Sequence, residues 1–215
     1  MCFNISIVSN KNTIEQELGA VFELDYLFEP QKHISAFTNP LIHVITSENR
    51  KNIELFNWGL IPEWVRNLKI ANNIRKMTYN ARSETINEKP SFRNSIKDKK
   101  CLIIADGFYE WQTTASGKIC HYVTLPENGI FTFAGIWSDW LDKSSGDYIK
   151  SVSLITQSAN QMMEKIHNTR KRQPVIIHKE NRDKWFDSGL DYQQILEESY
   201  DIILSNQIID SPLIS

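Results

Sequence analysis

The sequence predicts a single α+β domain with a largely antiparallel, barrel-like β-sheet core flanked by short helices. Its 215 residues are about the length of one domain, so residues 1–215 are taken as a single unit. Hydrophobic residues make up 41% and charged residues 23%, the proportions of an ordinary globular domain. Candidate strands cluster between residues 101 and 156 without the regular strand–helix alternation that would indicate a parallel sheet.

Elements in the first half of the chain are predicted from short β-branched runs and from capping residues. The strand candidates are Cys2–Val8, Leu41–Thr46 and Ile53–Asn57. Ser9 or Asn10 is placed to cap a helix that reaches Leu18 and ends at Gly19. The segment WGLIPEW, residues 58–64, is interrupted by glycine and proline, so we expect a loop that carries large aromatic rings. Residues 65–100 show no convincing strand and are expected to hold short helices.

The second half of the chain contains most of the predicted sheet. The strand candidates are Cys101–Ala105, Phe108–Gln112, Ile119–Leu125, Phe131–Trp137, Ile149–Thr156 and Pro174–His178. The predicted helices are Ser158–His167, Glu180–Asp187 and Asp191–Glu198, the first capped by Ser158. Trp58, Trp137, Trp140 and Trp185 are expected to be packing residues of the core.

Composition excludes several classes of protein. No apolar run approaches the roughly 20 residues of a membrane-spanning helix, and the N-terminus has no signal-peptide pattern. Three cysteines are too few for a disulfide framework. We therefore expect no membrane association and a reducing, cytoplasmic compartment. Nothing in the sequence suggests more than a monomer.

Charge is distributed unevenly along the chain although the formal net charge is only −2. Residues 66–100 carry ten basic and three acidic side chains, a net charge of +7. Residues 165–184 carry seven basic and two acidic side chains, a net charge of +5. This asymmetry is typical of a surface that binds a polyanion, but two well-solvated segments would show the same count.

Cys2 is the first residue whose chemistry suggests a function. Removal of the initiator methionine would leave an N-terminal cysteine, whose α-amine and thiol have reference pKa values of roughly 7.7–8.0 and 8.5. The amine condenses with an aldehyde, and the thiol then closes a five-membered thiazolidine ring. A small residue at the start of a strand is the alternative interpretation.

Three further segments carry candidate polar side chains. NARSET, residues 80–85, supplies an amide at Asn80, while ADGFYEWQ, residues 105–112, places Glu110 between aromatic residues. A carboxyl group in such surroundings is a candidate for a raised pKa and acid–base chemistry. In KIHNTRKRQPVII, residues 165–177, His167 stands at the end of a predicted helix. An exposed strand glutamate and a surface or core histidine are the alternatives.

Together these motifs resemble the SRAP family, SOS response-associated peptidase-like proteins that crosslink to abasic sites in DNA. Met-Cys, WGLIPEW, NARSET, ADGFYEWQ and the His167 segment occur in the family order from residue 2 to about 178. The resemblance implies that Cys2, freed of Met1, captures the ring-opened sugar aldehyde. It also implies that Asn80 positions this cysteine, Glu110 moves protons and His167 helps to open the sugar ring. No metal or organic cofactor is implied.

The same resemblance implies how DNA is held. Arg82 and Arg172 match arginines that bind phosphates beside the lesion, while Trp64 and Trp111 match aromatic surfaces for exposed bases. Pro40 resembles a proline that lines the same channel. The implied partner is single-stranded or junction DNA with an abasic site, read independently of sequence because phosphates and stacked bases carry little sequence information. The implied location is a bacterial-type cytoplasm, at the nucleoid when DNA is damaged.

The chain departs from the family pattern after Cys2, after His167 and beyond residue 190, where the family's late His-Pro-Val-Ser-type segment has no obvious counterpart. The common opening Cys-Gly-Arg is replaced by Cys2, Phe3 and Asn4, so one expected phosphate contact is missing. Three extra residues separate His167 from Arg172, and Arg170 is an alternative for the phosphate contact given to Arg172. Two other functions remain open at this point: an N-terminal-cysteine peptidase or amide hydrolase, and a non-covalent module that binds single-stranded DNA.

Overall fold

The computed structural model describes residues 2–210 and contains, within that range, fourteen β-strands and six α-helices. The strands are β1 (Asn4–Ile7), β2 (Val21–Phe22), β3 (Gln31–Ser35), β4 (Leu41–Thr46), β5 (Asn52–Trp58), β6 (Asn80–Arg82), β7 (Lys100–Ala105), β8 (Gly107–Thr114), β9 (Gly117–Thr124), β10 (Phe131–Leu141), β11 (Tyr148–Ser158), β12 (Arg172–Pro174), β13 (Ile176–Ile177) and β14 (Ser205–Ile209). The helices are α1 (Lys11–Leu18), α2 (Leu68–Arg75), α3 (Ser95–Asp98), α4 (Gln161–Ile166), α5 (Arg182–Trp185) and α6 (Tyr192–Glu198).

Five strands of the larger sheet close into a barrel. Its strand order is β12-β11-β10-β7-β4-β5-β2, and β5 also pairs in parallel with β11 through Asn57 with Ser151 and Trp58 with Val152. The other pairings around the ring β11-β10-β7-β4-β5 are antiparallel. Closure leaves these strands without free edges and encloses an apolar core. The predicted antiparallel, barrel-like α+β architecture is confirmed.

The smaller sheet brings the start of the chain next to the ADGFYEWQ strand. Its order is β14-β9-β8-β1-β3, and β1 pairs antiparallel with β8 through Ile5 with Phe108 and Ser6 with Gly107. Gly107 is needed here because a Cβ at this position would lie 2.3 Å from the ring of Tyr122. This register places the residues that precede β1 beside the second half of β8.

All four tryptophans assigned to the core are buried, with at most 4% of each exposed. The indole N–H of Trp58 donates to the carbonyl of Tyr79, that of Trp140 to Val65 and that of Trp185 to Cys101. Burying an indole without such an acceptor would be costly, so each bond also sets the ring orientation.

Helix α1 agrees with the sequence prediction, whereas α4 begins later than predicted. Asn10 caps α1 by accepting from the Thr13 amide, and Gly19 ends the helix with φ at +62°. The prediction that Ser158 caps a helix is wrong, because β11 continues through Ser158 and α4 begins after Asn160. The side chain of Asn160 accepts from the Met163 amide. Pairing of Ser158 with Arg172 extends the strand at the expense of the helix.

Several short strands were not expected from the sequence. The unexpected strands are β2, β3, β6 and β14. The single strand predicted over Pro174–His178 is instead divided between β12 and β13. β6 lies in the stretch predicted to lack strands and pairs in parallel with β11, Asn80 opposite Leu154. These segments are extended because a tertiary partner supplies hydrogen bonds, which composition alone does not reveal. No helix in residues 2–210 has the length and apolarity to cross a bilayer.

Candidate active site

A pocket of about 410 Å³ opens beside the beginning of β1. It is lined by Phe3, Asn4, Ser35, Phe37, Glu110, Trp111, Thr113, Lys118, His167, Thr169 and Arg170. Three of the site residues implied by the resemblance, Glu110, Trp111 and His167, therefore meet at one cavity. They come from β8 and from the segment after α4, which the fold packs against each other.

Glu110 is the titratable group of the strand side of the pocket. It lies on β8 with only 4% of its surface exposed. Burial raises its pKa to about 7, because a carboxylate loses its hydration in this position. A group with this pKa both accepts and donates a proton near neutrality, which is what acid–base chemistry requires.

His167 faces Glu110 from the opposite side of the pocket. Its Nδ1 accepts from the backbone N–H of Arg172 at 3.1 Å, so the proton of the neutral ring lies on Nε2. Burial lowers the pKa of His167 to about 4, and the ring is neutral at pH 7. Nε2 lies 3.9 Å from Oε2 of Glu110, longer than a direct hydrogen bond. The two groups therefore present an N–H donor and a carboxyl group to the same space.

Cys2 is fully buried and lies close enough to Glu110 for the charge of Glu110 to act on its thiol. Its thiol donates to the backbone oxygen of Asn4 at 3.9 Å. Burial, and secondly the charge of Glu110, raise the pKa of the thiol above its usual range. The thiol is thus protonated at neutral pH and needs a base before it reacts. The expected loss of Met1 concerns a residue outside the described range.

Asn80 lies on β6, in a segment that contacts the start of the chain. The ring of its neighbour Tyr79 packs edge-on against Phe3, with 6.2 Å between ring centroids. Both polar atoms of the Asn80 amide are buried and have no hydrogen-bond partner within residues 2–210. Buried amides are normally paired, so an exception calls for a specific explanation.

Arg172 is largely buried and is bound by groups of the protein itself. Only 8% of it is exposed, and its guanidinium binds both carboxylate oxygens of Glu84. A third bond, of 2.7 Å, goes to the backbone oxygen of Thr156. These internal partners occupy the guanidinium within the fold, and the phosphate contact given to Arg172 stays a prediction. Arg170, the alternative, lines the pocket.

The remaining predicted DNA-binding residues surround the pocket or lie outside it. Trp111 lines the cavity, and Trp64 is 52% exposed, with its indole N–H bonded to the carbonyl of Pro90. Arg82 is exposed at the end of β6. Pro40 is half-buried, and its carbonyl accepts from the Trp58 amide. Trp64, Arg82 and Pro40 are absent from the lining.

Asp106 is a structural residue of the site that the sequence interpretation missed. Its carboxylate accepts from the hydroxyl of Ser6 and from the amides of Val8 and Ser9, at 2.6 to 2.8 Å. These bonds tie the end of β1 to the turn before β8. The available signal was the Asp-Gly dipeptide inside ADGFYEWQ, which is typical of a turn. Lys118 and Phe37 also line the pocket and were not expected there.

No group of three or more His, Cys, Asp or Glu side chains in the described range is arranged to hold a metal ion.

Comparison with known proteins gives a consistent result. Residues 1–207 match the family described as SOS response associated peptidase (SRAP). The abasic site processing protein YoqW of Bacillus subtilis is 33% identical over 209 residues, which cover 94% of this chain and 88% of that protein. The abasic site processing protein HMCES of Xenopus tropicalis is 33% identical over 151 residues, covering 61% of this chain and 44% of that protein.

Solved structures of other proteins share the fold. A crystal structure of a protein from Bacteroides thetaiotaomicron superposes with a TM-score of 0.91 at 34% identity, covering 99% of this chain and 94% of that one. A protein from Bordetella bronchiseptica superposes with a TM-score of 0.78 at 20% identity, covering 98% of this chain and all of the other. The second similarity concerns the fold alone.

Proposed function

The chain belongs to the SOS response associated peptidase family, and from that premise we propose that it captures abasic sites in DNA through Cys2. Relatives named as abasic site processing proteins support processing of such sites within the family. The finer proposal is a covalent thiazolidine link between the N-terminal cysteine and the sugar aldehyde. It requires that Met1 be removed, because only a free α-amine on Cys2 can take part in the ring.

The observation that carries the proposal is the pairing of Glu110 with a neutral His167 beside the buried Cys2 thiol. Aldehyde capture needs a donor for the sugar ring oxygen, a base for the thiol and a route for the released water. His167 offers an Nε2–H donor, and Glu110 has a pKa of about 7. The thiol is the group whose pKa is raised and which therefore depends on that base.

The proposed reaction proceeds in three balanced steps. His167 hydrogen-bonds the ring oxygen while the hemiacetal opens to the aldehyde, and the proton of the C1 hydroxyl ends on that ring oxygen. The Cys2 amine then adds to the aldehyde carbon; one amine proton and one proton from Glu110 leave with the carbonyl oxygen as water, and a protonated imine forms. Finally the Cys2 sulfur attacks the protonated imine carbon, the thiol proton passing to the Glu110 carboxylate and the nitrogen becoming a neutral secondary amine. The products are a thiazolidine and one water molecule. The buried Asn80 amide is proposed to orient the Cys2 amine.

Non-covalent binding of the DNA strand is proposed to use cations and aromatic rings around the pocket. Arg170 takes the phosphate role first predicted for Arg172, and the exposed Arg82 supplies a second contact. Trp111 in the pocket and the exposed Trp64 provide apolar surfaces for unpaired bases, and Pro40 keeps its predicted role in lining the path of the strand. These contacts favour single-stranded or junction DNA, in which bases are available for stacking. A monomer is sufficient for all of them.

The test is a denaturing-gel assay with an oligonucleotide that carries one abasic site. Wild-type protein, shown by mass spectrometry to lack Met1, should give a heat-stable shifted band. Cys2→Ala should abolish it, whereas Cys120→Ala, which alters another buried cysteine, should retain it. An undamaged oligonucleotide should give no band with any protein.

Two other outcomes correspond to the alternative functions. Peptide hydrolysis that requires Cys2, without a shifted band, would replace capture by an amide hydrolase. Binding of single-stranded DNA that Cys2→Ala leaves unchanged, again without a band, would leave a non-covalent module.

A further inference from the structure

We propose that Phe37, supported by Phe3, is a stacking surface for the nucleobase adjacent to the abasic site. The proposal deepens the proposed function and rests on it for the identity of the ligand. Neither residue was assigned a role above. Both line the same pocket as Glu110 and His167.

Phe37 is an exposed aromatic ring that is nevertheless held in place. It is 63% exposed, although it is a large apolar side chain. Its ring lies 4.9 Å from the ring of Phe3 with an interplanar angle of 36°, and 5.9 Å from that of Tyr79 with an angle of 87°. Two neighbours thus support the ring, while most of its surface remains open to a ligand.

The backbone that carries Phe37 is also well anchored. Phe37 belongs to a single 3-10 turn between β3 and β4, in which the amide of Ala36 donates to the carbonyl of Phe3 at 2.8 Å. The turn ends at Asn39 in the left-handed region, with φ at +52°. The hydroxyl of Tyr79 donates to the Asn39 side chain at 3.1 Å. A surface held in advance loses little conformational freedom when a base binds to it.

Charge around the pocket identifies the occupant as a nucleotide. Lys118 and Arg170 line the same cavity as Phe37, and Glu110, largely protonated below pH 7, is the one acidic residue among its described lining residues. Aromatic faces beside cations fit a ligand with a flat apolar part and an anionic backbone, which is the pattern of single-stranded nucleic-acid sites. An apolar peptide would leave both cations without partners.

Phe3 sets where the stacked base lies relative to the lesion. It directly follows Cys2, and its ring supports Phe37. A base on Phe37 is therefore expected beside the sugar that Cys2 captures, and the proposal assigns it to the neighbouring nucleotide of the same strand.

The experiment uses full-length protein and a single-stranded oligonucleotide with a tetrahydrofuran abasic analogue flanked by 2-aminopurine. The analogue has no aldehyde, so stacking is measured without capture. Wild-type protein should quench the 2-aminopurine fluorescence. Phe37→Ala should abolish the quenching and raise Kd about 5- to 150-fold, the range of one lost stacking contact. Phe37→Trp should restore both.

Controls separate stacking from general loss of binding. Tyr26→Ala, which removes a 77% exposed aromatic side chain outside the pocket, should leave Kd and quenching unchanged. Arg170→Ala should reduce the slope of log K against log salt concentration by about the amount that one phosphate contact contributes. Phe37→Ala should not change that slope.

Unchanged Kd and quenching in a folded Phe37→Ala protein would overturn the proposal, as would an equal loss in Tyr26→Ala. Quenching that depends on Phe37, together with failure of the wild-type protein to capture a true abasic site, would refute the covalent reaction and leave the stacking surface intact.

Discussion

The two sides of the pocket are built in different ways. The strand side, which carries Cys2 and Glu110, is held by backbone pairing between β1 and β8 and by the bonds of Asp106. The loop side, residues 167–172, has backbone bonds at its ends, from the Lys171 amide to the His167 carbonyl and between β12 and β11, and is further held by side chains. Asn168 exchanges two hydrogen bonds with the backbone of Thr113, and Arg172 is bound by Glu84. Lys171 has φ at +49°, unusual for a lysine, within this loop.

Substitutions on the strand side are therefore expected to remove a reactive group, whereas substitutions on the loop side are expected to change the orientation of His167. Backbone hydrogen bonds do not depend on the side chain, so a substitution at Glu110 removes the carboxyl group while the pairing of β1 with β8 is retained. On the loop side, the orientation of His167 depends on the Arg172 amide, and the Arg172 side chain is in turn bound by Glu84. A distant residue such as Glu84 is therefore expected to affect His167.

The largest expected effect is that of Glu110→Gln on the rate of capture. Glutamine preserves the shape of the side chain but neither accepts nor donates the proton. We expect the single-turnover rate at saturating DNA to fall by about 10²- to 10⁴-fold, the usual contribution of a general acid–base group. The wild-type rate should change with an apparent pKa near 7, the value to which burial raises Glu110, and the variant should lose this inflection. Quench-flow with gel analysis at pH 5.5 to 8.5 measures both.

Unchanged affinity for a tetrahydrofuran analogue is the control for this variant. A rate that stays within about 10-fold of wild type would assign proton transfer to another group.

The second effect concerns stability on the strand side. Because the pKa of Glu110 is raised in the folded protein, that protein retains a proton between about pH 4.5 and 7 that the unfolded chain releases. The free energy of unfolding should therefore fall as pH rises through this window. At 1.36 kcal/mol per pKa unit, the loss is on the order of 3 kcal/mol. Glu110→Gln should be more stable than wild type by this order at pH 8, and equal to it near pH 4.

Urea unfolding of both proteins across this range gives the measurement. His167 contributes with the opposite sign, because its lowered pKa costs stability as pH falls from 6.5 to about 4. That contribution is common to both proteins and cancels in their difference. A difference in stability that does not vary with pH would contradict the burial of an ionisable Glu110.

The smallest effect is expected from Glu84→Gln on the loop side. The variant loses the charge that binds Arg172, so the Arg172 amide is held less firmly against Nδ1 of His167. We expect capture to slow about 10-fold, less than the ~100-fold that accompanies a 1 Å displacement of a catalytic group. The affinity for DNA should not change. Nitrogen NMR of the His167 ring should show loss of the pure Nε2–H tautomer.

Glu164→Gln is the matched control, since Glu164 is an exposed acid on α4 that pairs with Lys171 at 3.7 Å. It should leave the rate and the tautomer unchanged. If Glu84→Gln slows capture without altering the tautomer, the contact acts on something other than His167.

Much of the fold could be predicted because its longer strands carry local signals. Leu41–Thr46 coincides with β4, and the predicted runs at Cys101–Ala105 and Phe131–Trp137 lie within β7 and β10. Gly19 ends α1 as its conformational freedom suggests. By contrast, β2 and β6 span only two and three residues and are extended through pairing with distant strands. No local pattern of that length distinguishes such a strand from a loop.

The candidate site shows the same division. Motif order along the chain predicts Cys2, Asn80, Glu110 and His167 as site residues, and the fold brings Glu110 and His167 to one pocket, with Cys2 near Glu110. The basic segment 165–184 contains Arg172 and Arg182, but their guanidinium groups bind Glu84 and Glu17. A count of charges does not indicate which arginines are already neutralised within the fold.

The α+β class and the longer strands followed from the sequence alone, which also nominated the candidate reactive side chains, because alternation, caps and motif spacing are properties of neighbouring residues. Only the tertiary structure decided the protonation of Glu110 and His167, the internal role of Arg172 and the exposure of Phe37. Protonation depends on burial, and burial is created by segments that are distant in the chain. Arg172 and Glu84, 88 residues apart, meet only after the barrel has closed.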